Sequence, residues 1–289
     1  MRRPLRSFAA LLATAIAGRA QLHTVDAAVG SPELPRLSEQ VDYVTTAHVF
    51  GLTADTELTW SPTTWLEAGI EQPWYRRRVA FGDPASGRLR DTLEGRGDMV
   101  LHSKLALLRE NAIAQSDSLS LLMELSLPTG AHDAAVAGVE LPRRQQLGLG
   151  ATGAGLGIAY TAVRYRERTS AAFVWRHFGN HDGFDPGEEL ELDLAWSYRL
   201  QPRVFDASAP EPEWRLCAEL LGKYRTDDQE RSRGMDGGGS EIHLELGLYC
   251  QANGWLCLQS AVRVPLYADL GDPFGNTWIG CTFAVQVTF

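Results

Sequence analysis

A short polar stretch near the middle of the chain carries the residue types that metal binding and catalysis use. It reads WRHFGNHDGFDPGEELE over 175–191 and contains His177, His181, Asp182 and Asp185. Imidazole nitrogens and carboxylate oxygens together bind several divalent ions, so a surface metal site is one hypothesis. The spacing matches no established ligand pattern, and a solvated turn explains the same composition. We therefore predict no metal site, and nothing else in the sequence requires a cofactor.

The four cysteines are a second set of chemically active residues. No two of them form a CxxC pair, so the zinc-finger type of spacing is absent. Cys250 and Cys257 flank Ala252-Asn253-Gly254. A two-residue Asn253-Gly254 turn would place the two thiols opposite each other, whereas a three-residue turn places them on opposite faces of a hairpin. The three-residue turn keeps the apolar residues of both strands on one face, so we predict that these cysteines are not bridged.

A third set of charged side chains recurs at every second position. Glu189, Glu191 and Asp193 alternate with leucines, and a similar row of acids and bases follows in 213–225. Successive side chains of a strand point to opposite faces, so this spacing places the charges on one face of a β-strand and the leucines on the other.

Segments with this alternation recur along the chain, whereas helical periodicity is hard to find. Many of them are 10 to 13 residues long, which exceeds the usual strand of about 5–6 residues and suits the about 9–11 residues of a tilted membrane strand. We predict twelve strands: 41–50, 55–61, 64–75, 97–109, 118–127, 154–166, 169–178, 188–200, 213–225, 241–251, 255–265 and 277–289.

The connections between these strands are sorted by length. Short links mostly follow the even-numbered strands and long links mostly follow the odd-numbered ones, with 201–212 as the main exception. A soluble sandwich shows the same alternation but has no reason to sort its loops, whereas a membrane barrel has short periplasmic turns and long extracellular loops. The fold prediction is all-β, a transmembrane antiparallel β-barrel of twelve strands, with ten to fourteen compatible with the pattern.

The N-terminus has the layout of a secretory signal peptide. Three arginines precede an apolar run over 8–17, and small residues follow. Cleavage after Ala20 is expected, with another small-residue site as late as Ala27. The predicted organisation is a signal peptide, 1–20, an N-terminal periplasmic segment, 21–40, and an outer-membrane barrel, 41–289.

The charge of the exported chain excludes one class of partner. Removing 1–20 leaves 23 basic and 36 acidic residues, a net charge of −13. Because nucleic-acid binding needs basic surfaces, no nucleic-acid partner is expected.

Several motifs resemble those of one outer-membrane family. They run from 97 to 289 and read RGDMVLHSKLALL, LSLLMELSLPTG, PGEELELDLAWSYRL, EWRLCAELLGKYR, GGGSEIHLELGLY and VRVPLY, followed by the terminal strand. The family is named for the MetA pathway of phenol degradation, and its members are described as transporters. LTWSPTTWLEAGIEQPW resembles the early strands of that family more loosely. The resemblance implies an outer-membrane barrel of about this strand number, with small aromatic or hydrophobic compounds as solutes and no catalytic residue.

A weaker resemblance concerns the polar stretch described first. His177, Gly179 and Asn180 resemble the His-x-Ser-Asn sequence of outer-membrane lipid A deacylases, with Glu191 downstream as a third member. In such chemistry an imidazole activates a serine hydroxyl. Glycine stands where that serine should be, so we predict that the protein is not an enzyme. A barrel enzyme that acts on lipid is the weakest hypothesis.

Extrapolating the alternation along each strand predicts which charges line the lumen of the barrel. Charges of both signs on neighbouring strands can pair across the sheet. The predicted lumen-lining residues are Glu67, Glu71, His102, Lys104, Glu124, Arg164, Arg176, Glu189, Glu191, Asp193, Arg199, Arg215, Glu219, Lys223, Arg225, Glu245 and Arg263.

Two functions are compatible with such a lumen. In the first, the protein is a channel or transporter-like barrel for passive passage of small solutes. In the second, the lumen is closed, and the barrel has a structural or binding role and displays the external loops 76–96, 128–149 and 226–240. About eight strands close on side chains alone and 16–18 leave a water channel, so twelve strands leave both open. A small plug could come from the residues between the signal peptide and Val41.

The chain ends on its most regular alternation, WIGCTFAVQVTF. Ile279, Cys281 and Phe283 are expected to face lipid, and Phe289 resembles the C-terminal aromatic by which barrel-assembly machinery recognises outer-membrane barrels. The expected location is the outer membrane of a Gram-negative bacterium. The expected partners are outer-membrane lipid, a small-molecule solute and the assembly machinery.

Overall fold

The computed structural model describes Ala27 and the ranges 35–46, 49–83, 87–136, 139–141, 143–203, 212–230, 233–235, 238–270 and 277–289. The predicted signal peptide lies outside the described residues, as does most of the predicted segment 21–40. Within the described residues the only helical element is a 3-10 turn at Arg143–Gln145. No helix in this part of the chain is long and apolar enough to cross a membrane.

Eighteen strands account for most of the described chain. In chain order they are β1 (Arg36–Thr46), β2 (Val49–Trp60), β3 (Leu66–Asp83), β4 (Gly87–Arg96), β5 (Met99–Ala112), β6 (Gln115–Leu127), β7 (Ala135–Val136), β8 (Val139–Glu140), β9 (Gly153–Arg164), β10 (Glu167–Phe178), β11 (Phe184–Asp185), β12 (Glu189–Gln201), β13 (Glu213–Arg225), β14 (Asp228–Glu230), β15 (Arg233–Met235), β16 (Gly239–Gln251), β17 (Leu256–Leu270) and β18 (Thr277–Thr288).

Twelve of these strands form a closed antiparallel barrel. The ring runs β1, β2, β3, β5, β6, β9, β10, β12, β13, β16, β17 and β18, and β18 returns to pair with β1. The closing register places Val41 opposite Phe283. Closure gives each of the twelve strands a paired neighbour on both sides, which is what a β-structure in lipid requires. The predicted twelve-stranded barrel is therefore confirmed.

The two ends of the barrel differ as the loop lengths predicted. One end carries the short connections after β2, β5, β9 and β16 and the link between β12 and β13; we call it the short-turn rim. The opposite end carries the longer connections and the small strands β7, β8, β11, β14 and β15; we call it the long-loop rim.

The first strands and one loop differ from the prediction. The first strand begins at Arg36 and not at residue 41, because RLSEQVDYVTT has polar residues on both of its faces and gives a weak alternation. The predicted loop 76–96 is largely a hairpin, since β3 continues to Asp83 and pairs with β4. β4 also lies beside β3 at the edge of the ring, so it lengthens the wall and adds no strand to the closed ring.

The cysteines follow the predicted faces with a longer turn. All four are free thiols. Gln251 pairs with Cys257 and Cys250 pairs with Leu258, so the two neighbouring thiols lie on opposite faces of the β16–β17 hairpin, as predicted. The turn itself is one residue longer than expected, since four residues, 252–255, connect the two strands, and Ala252 N donates to Leu256 O at 3.0 Å. Asn253 Oδ1 accepts from the backbone N–H groups of Trp255 and Leu256 and closes this longer turn.

Candidate functional site

The barrel wall is apolar on its outer face and polar on its inner face. Leu192 and Leu246 on the outer face are 53% and 54% exposed, whereas Glu219 and Glu245 on the inner face are 1% and 0% exposed. A soluble protein buries its leucines and exposes its acids, so this inversion marks a wall between an apolar surrounding and a polar interior.

Most of the predicted lumen residues lie on the inner face. They share that face because each occupies the buried phase of its strand's alternation. The residues placed there are Glu67, Glu71, His102, Lys104, Glu124, Arg176, Glu189, Glu191, Asp193, Arg199, Arg215, Glu219, Lys223, Arg225, Glu245 and Arg263.

Arg164 lies on the outer face, and its predicted place in the lumen is corrected. It is the last residue of β9, on the same side as Tyr160. Both Nη2 bonds to the Asp117 carboxylate are 2.7 Å long, and the Arg164 side chain is 47% exposed at the short-turn rim. Position 164 shares the parity of Leu156, Ile158 and Tyr160, so alternation places it on the outer face, and only its charge favours the lumen.

Arg176 joins two acids across three strands near the long-loop rim. Its Nε lies 2.6 Å from Glu124 Oε2 on β6, and its Nη1 donates to Glu191 on β12. Gly155 on the intervening β9 makes the first contact feasible, because a Cβ there would lie 3.0 Å from Glu124 Oε2 and 3.3 Å from Arg176 Cγ. The guanidinium therefore lies along the wall and crosses β9 over a glycine.

A second ion pair that crosses a strand over a glycine lies near the short-turn rim. His102 Nε2 on β5 lies 3.2 Å from Glu57 Oε1 on β2, across β3. Gly69 on β3 leaves the room, since a Cβ there would come within 2.2 Å of His102 Nε2. Any side chain at residue 69 would remove this contact.

Glu67 serves two cations in the same region. Its carboxylate lies 3.0 Å from Lys104 Nζ and also accepts from Arg36 Nη2 and, at 3.4 Å, from Ser61 Oγ. The Glu67 side chain is 3% exposed. Charges this deeply buried must be paired to be tolerated.

Glu189 gathers three cations at the long-loop rim. Lys223 Nζ and Arg225 Nε on β13 lie 3.0 Å and 3.1 Å from its carboxylate. The third cation is Arg144, which comes from the connection between β8 and β9 and lies 2.8 Å away.

Arg144 connects three segments of this rim. Its Nε and Nη2 bind the Asp228 carboxylate at 2.9 Å and 2.7 Å, and Nη2 also donates to Gly187 O at 3.4 Å. Desolvation lowers the pKa of Arg144, but the hydrogen bonds and negative charges of Asp228 and Glu189 outweigh it and raise the net pKa. The connection that carries Arg144 therefore folds inward over the mouth of the barrel.

This connection, 128–149, is held by polar groups that are partly or fully buried. Asp98 accepts from Gly130 N at 2.9 Å and from Leu149 N at 2.7 Å, which fixes both ends. Desolvation raises the pKa of the Asp98 carboxyl above its ordinary value, against the lowering effect of these bonds. Gln146 bonds both backbone groups of Ala134 and so holds the middle of the loop.

Ala27 lies inside the barrel. It is 0% exposed, its N–H donates to Thr161 Oγ1 at 3.0 Å, and its carbonyl accepts from Ser120 Oγ at 2.6 Å. Thr161 and Ser170 share a further hydroxyl contact of 2.6 Å. We call the two hydrogen bonds that Thr161 and Ser120 make with the backbone of Ala27 the Ala27 clamp. Apolar inner-face residues surround it in one cluster, namely Leu122, Ala159, Ala172 and Val174.

Sequence reasoning missed several residues of this interior. Arg168, 5% exposed, lies outside the predicted strand 169–178, but β10 begins at Glu167 and its alternation places Arg168 inside. Glu57 and Glu213 are buried as well, although they lie within the predicted strands 55–61 and 213–225, where parity places Glu213 with Arg215. No local signal identifies Arg144 or Asp228, because both lie in connections and meet across 84 positions of sequence.

The residues of the deacylase-like motif do not come together. His177 lies on the outer side of β10, where it stacks on Trp175 and lies 3.5 Å from Glu188. Glu191 lies on the inner face, bound to Arg176. Gly179 supplies no hydroxyl, and its N–H donates to Thr152 O. This motif therefore forms no serine-based catalytic site.

Comparison with solved structures gives the same fold. No protein-family model matches the chain, and no curated protein matches it. An outer-membrane channel from Pseudomonas putida F1 is similar with a TM-score of 0.73 at 14% identity, covering 93% of this chain and 100% of that one. The NanC porin has a TM-score of 0.47 at 7% identity, covering 88% and 100%. The KdgM porin has a TM-score of 0.43 at 8% identity, covering 88% and 99%.

Proposed function

We propose that the protein is an outer-membrane barrel of a Gram-negative bacterium that lets small solutes pass passively. The inverted wall and the fold shared with an outer-membrane channel support this proposal. The predicted signal peptide would direct export, and Phe289, which follows β18 and donates its N–H to Pro35 O at 3.2 Å, would be the residue that the assembly machinery recognises. A mature chain that begins after residue 20 keeps Ala27, whereas cleavage as late as residue 27 would remove it.

The observation that carries the channel hypothesis is the course of the interior ion pairs. Arg176 reaches Glu124 over Gly155, and His102 reaches Glu57 over Gly69, so these pairs join neighbouring or next-nearest strands. Adjacent strands lie about 4.8 Å apart, and such pairs therefore follow the wall without bridging the lumen. Charges arranged in this way line an aqueous path and select among solutes by charge.

The solute class is proposed from the family resemblance and one feature of the wall. The MetA-pathway family resemblance implies small aromatic or hydrophobic compounds. Leu122, Ala159, Ala172 and Val174 form an apolar stretch on the inner face. An apolar surface beside charged residues suits a small aromatic acid, whose ring and carboxylate need different surroundings.

The closed-barrel alternative is favoured by two specific observations. Ala27 occupies the lumen beside that apolar stretch, and Arg144 binds the connection 128–149 across the long-loop rim. If both stay in place, the barrel displays its loops and conducts little.

Conductance and uptake separate the two functions. The purified full-length barrel in planar bilayers should give single-channel events, and liposomes containing it should swell faster in small aromatic acids than in neutral sugars of similar size. Absence of both events and swelling would exclude passage and leave the closed barrel. Events with equal swelling in both solute classes would retain the channel and reject the aromatic preference.

Weakening the Ala27 clamp should increase conductance. The double variant Ser120→Ala, Thr161→Val removes the two hydroxyls that bind the Ala27 backbone, and each neutral hydrogen bond contributes about 0.5–1.5 kcal/mol. Together they should shift the occupancy of the lumen by roughly tenfold and raise the mean current severalfold. Ser197→Ala is the matched control, because Ser197 is an inner-face hydroxyl, 0% exposed, on β12. An equal rise in the mean current of the Ser197→Ala variant would show that losing any buried lumen hydroxyl has this effect, whether or not it binds Ala27.

A further inference from the structure

Two external connections bring a group of metal-binding side chains together at the long-loop rim. His132 lies in the connection between β6 and β7, and His181 and Asp182 lie between β10 and β11. One ligand atom from each of the three residues lies within 4.8 Å of the others. The two imidazole rings meet edge to face, with centroids 5.4 Å apart.

A tight turn holds His181 and Asp182 in place. His181 and Phe184 exchange two backbone hydrogen bonds of 2.9 Å. Asp182 and Gly183 between them have φ values of 52° and 80°, which is the two-residue hairpin turn that Asp-Gly sequences favour. His181 Nε2 lies 3.1 Å from Asp182 Oδ2 as a result.

His132 is fixed independently. Its carbonyl accepts from Arg143 Nη1 at 2.9 Å. Its ring packs on Gly150, where φ is 72° and a Cβ would lie 2.8 Å from His132 Cγ. Among the described residues, the buried His132 Nδ1 has no hydrogen-bond partner. A buried imidazole nitrogen with no partner requires an explanation, and a bound ion supplies one.

We propose that His132, His181 and Asp182 bind a divalent transition-metal ion of the zinc class. Two imidazoles and a carboxylate are a usual protein ligand set for zinc, with water in the fourth position. At metal–ligand distances of about 2.0–2.1 Å, tetrahedral ligands lie about 3.3 Å apart, which is close to the separation of His181 and Asp182. Hard ions such as Mg²⁺ prefer oxygen ligands and do not suit this set.

The bound ion would link two connections that already approach each other through side chains. Arg143 Nη2 now lies 3.9 Å from Asp182 Oδ2, and the ion would replace this long contact with direct coordination. The next residue, Arg144, holds the same connection over the mouth of the barrel. The site therefore adds a metal-dependent link to the inward fold of 128–149, which goes beyond solute passage.

Calorimetry on the folded full-length barrel, without a polyhistidine tag, tests the proposal. Zn²⁺ should bind with one equivalent per chain, and Mg²⁺ should give no heat of binding. His132→Ala and His181→Ala should each weaken Zn²⁺ binding by at least tenfold. His177→Ala is the matched control, because His177 is an exposed histidine of the same region that lies outside the group, and its affinity should be unchanged.

Each other result would overturn the site. No saturable Zn²⁺ binding, or binding that survives His132→Ala, would show that the three residues form only a polar contact between loops. Equal losses in the His177→Ala variant would indicate scattered surface binding. Heat-modifiable mobility on gels checks that every variant has folded, and because the assay measures binding and not conductance, its outcome is independent of the channel proposal.

Discussion

Replacing Arg144 with methionine should open the long-loop rim and raise single-channel conductance severalfold. Arg144 binds Asp228 through two nitrogens and Glu189 through a third, and the Asp228 and Glu189 side chains are 5% and 8% exposed. Methionine keeps the apolar stem and removes the charge. Removing one partner of a buried pair costs about 3–5 kcal/mol, which shifts the opening equilibrium of the connection by roughly 100-fold or more.

The geometry of the guanidinium predicts an order among variants. Arg144→Lys keeps the positive charge but loses the planar fork that reaches Asp228, Glu189 and Gly187 together. Its effect on conductance should therefore lie between those of the wild type and Arg144→Met. The rate of limited proteolysis within 128–149 should rise in the same order, from the wild type through Arg144→Lys to Arg144→Met, because cleavage requires the loop to leave the rim.

Arg164→Met is the control with the same change of charge. Arg164 binds a single acid, Asp117, at the opposite rim and is 47% exposed, so solvent screens the pair and its loss should leave the conductance unchanged. Unchanged conductance in Arg144→Met would show that the inward loop does not limit passage. Increased conductance in both variants would trace the effect to net charge.

The wall of the barrel could be predicted from the sequence because the face of each wall residue depends on the parity of its position. In β12, the neighbouring residues Leu192 and Asp193 are 53% and 5% exposed, respectively. One well-placed alternation therefore fixes a whole strand. The same rule accounts for the correction at Arg164, whose position shares the outer-face parity of Tyr160 although its charge suits the lumen.

The interior groups that do not belong to the wall could not be predicted in the same way. Arg144 meets Asp228 across 84 positions, and Ser120 meets Ala27 across 93. Neither contact follows from spacing, because the loop or segment that brings the partner has no periodicity of its own. The proximity of His132 to His181 could not be predicted for the same reason, because the two histidines lie in different connections.

Glycines on the inner face are a further signal of this interior in the sequence. Gly69 and Gly155 interrupt strands of otherwise regular alternation. Glycine inside a strand often marks a close approach by another group, and here the groups are His102 and Arg176. The glycines of a predicted barrel therefore indicate which long side chains can cross to the next-nearest strand.

Replacing Glu67 with glutamine should lower the free energy of unfolding by about 3–5 kcal/mol. Glu67 is 2% exposed and binds both Lys104 and Arg36. Glutamine keeps the shape and one acceptor oxygen but leaves two cations beside a neutral amide. Urea titration of the barrel in lipid vesicles, followed by tryptophan fluorescence, measures the change.

The arrangement of these three charges predicts that replacing Glu67 lowers the stability of the barrel more than replacing either Lys104 or Arg36. Lys104→Met leaves Glu67 bound to Arg36, which is a balanced pair, whereas Glu67→Gln leaves two like charges in one buried space. Lys104→Met should therefore cost less, and adding it to Glu67→Gln should recover part of the lost stability, because it removes one of the two repelling cations. A double variant that is less stable than Glu67→Gln alone would contradict this account.

Glu94→Gln provides the matched control for the same chemical change. Glu94 pairs with Arg76 at 3.4 Å, and the side chains are 49% and 64% exposed, so solvent screens the pair and its loss should cost less than about 1 kcal/mol. If Glu67→Gln costs no more than Glu94→Gln, the interior around Glu67 is well hydrated. The charges on this part of the wall would then be solvated by water in the lumen, and their pairing would contribute little to the stability of the barrel.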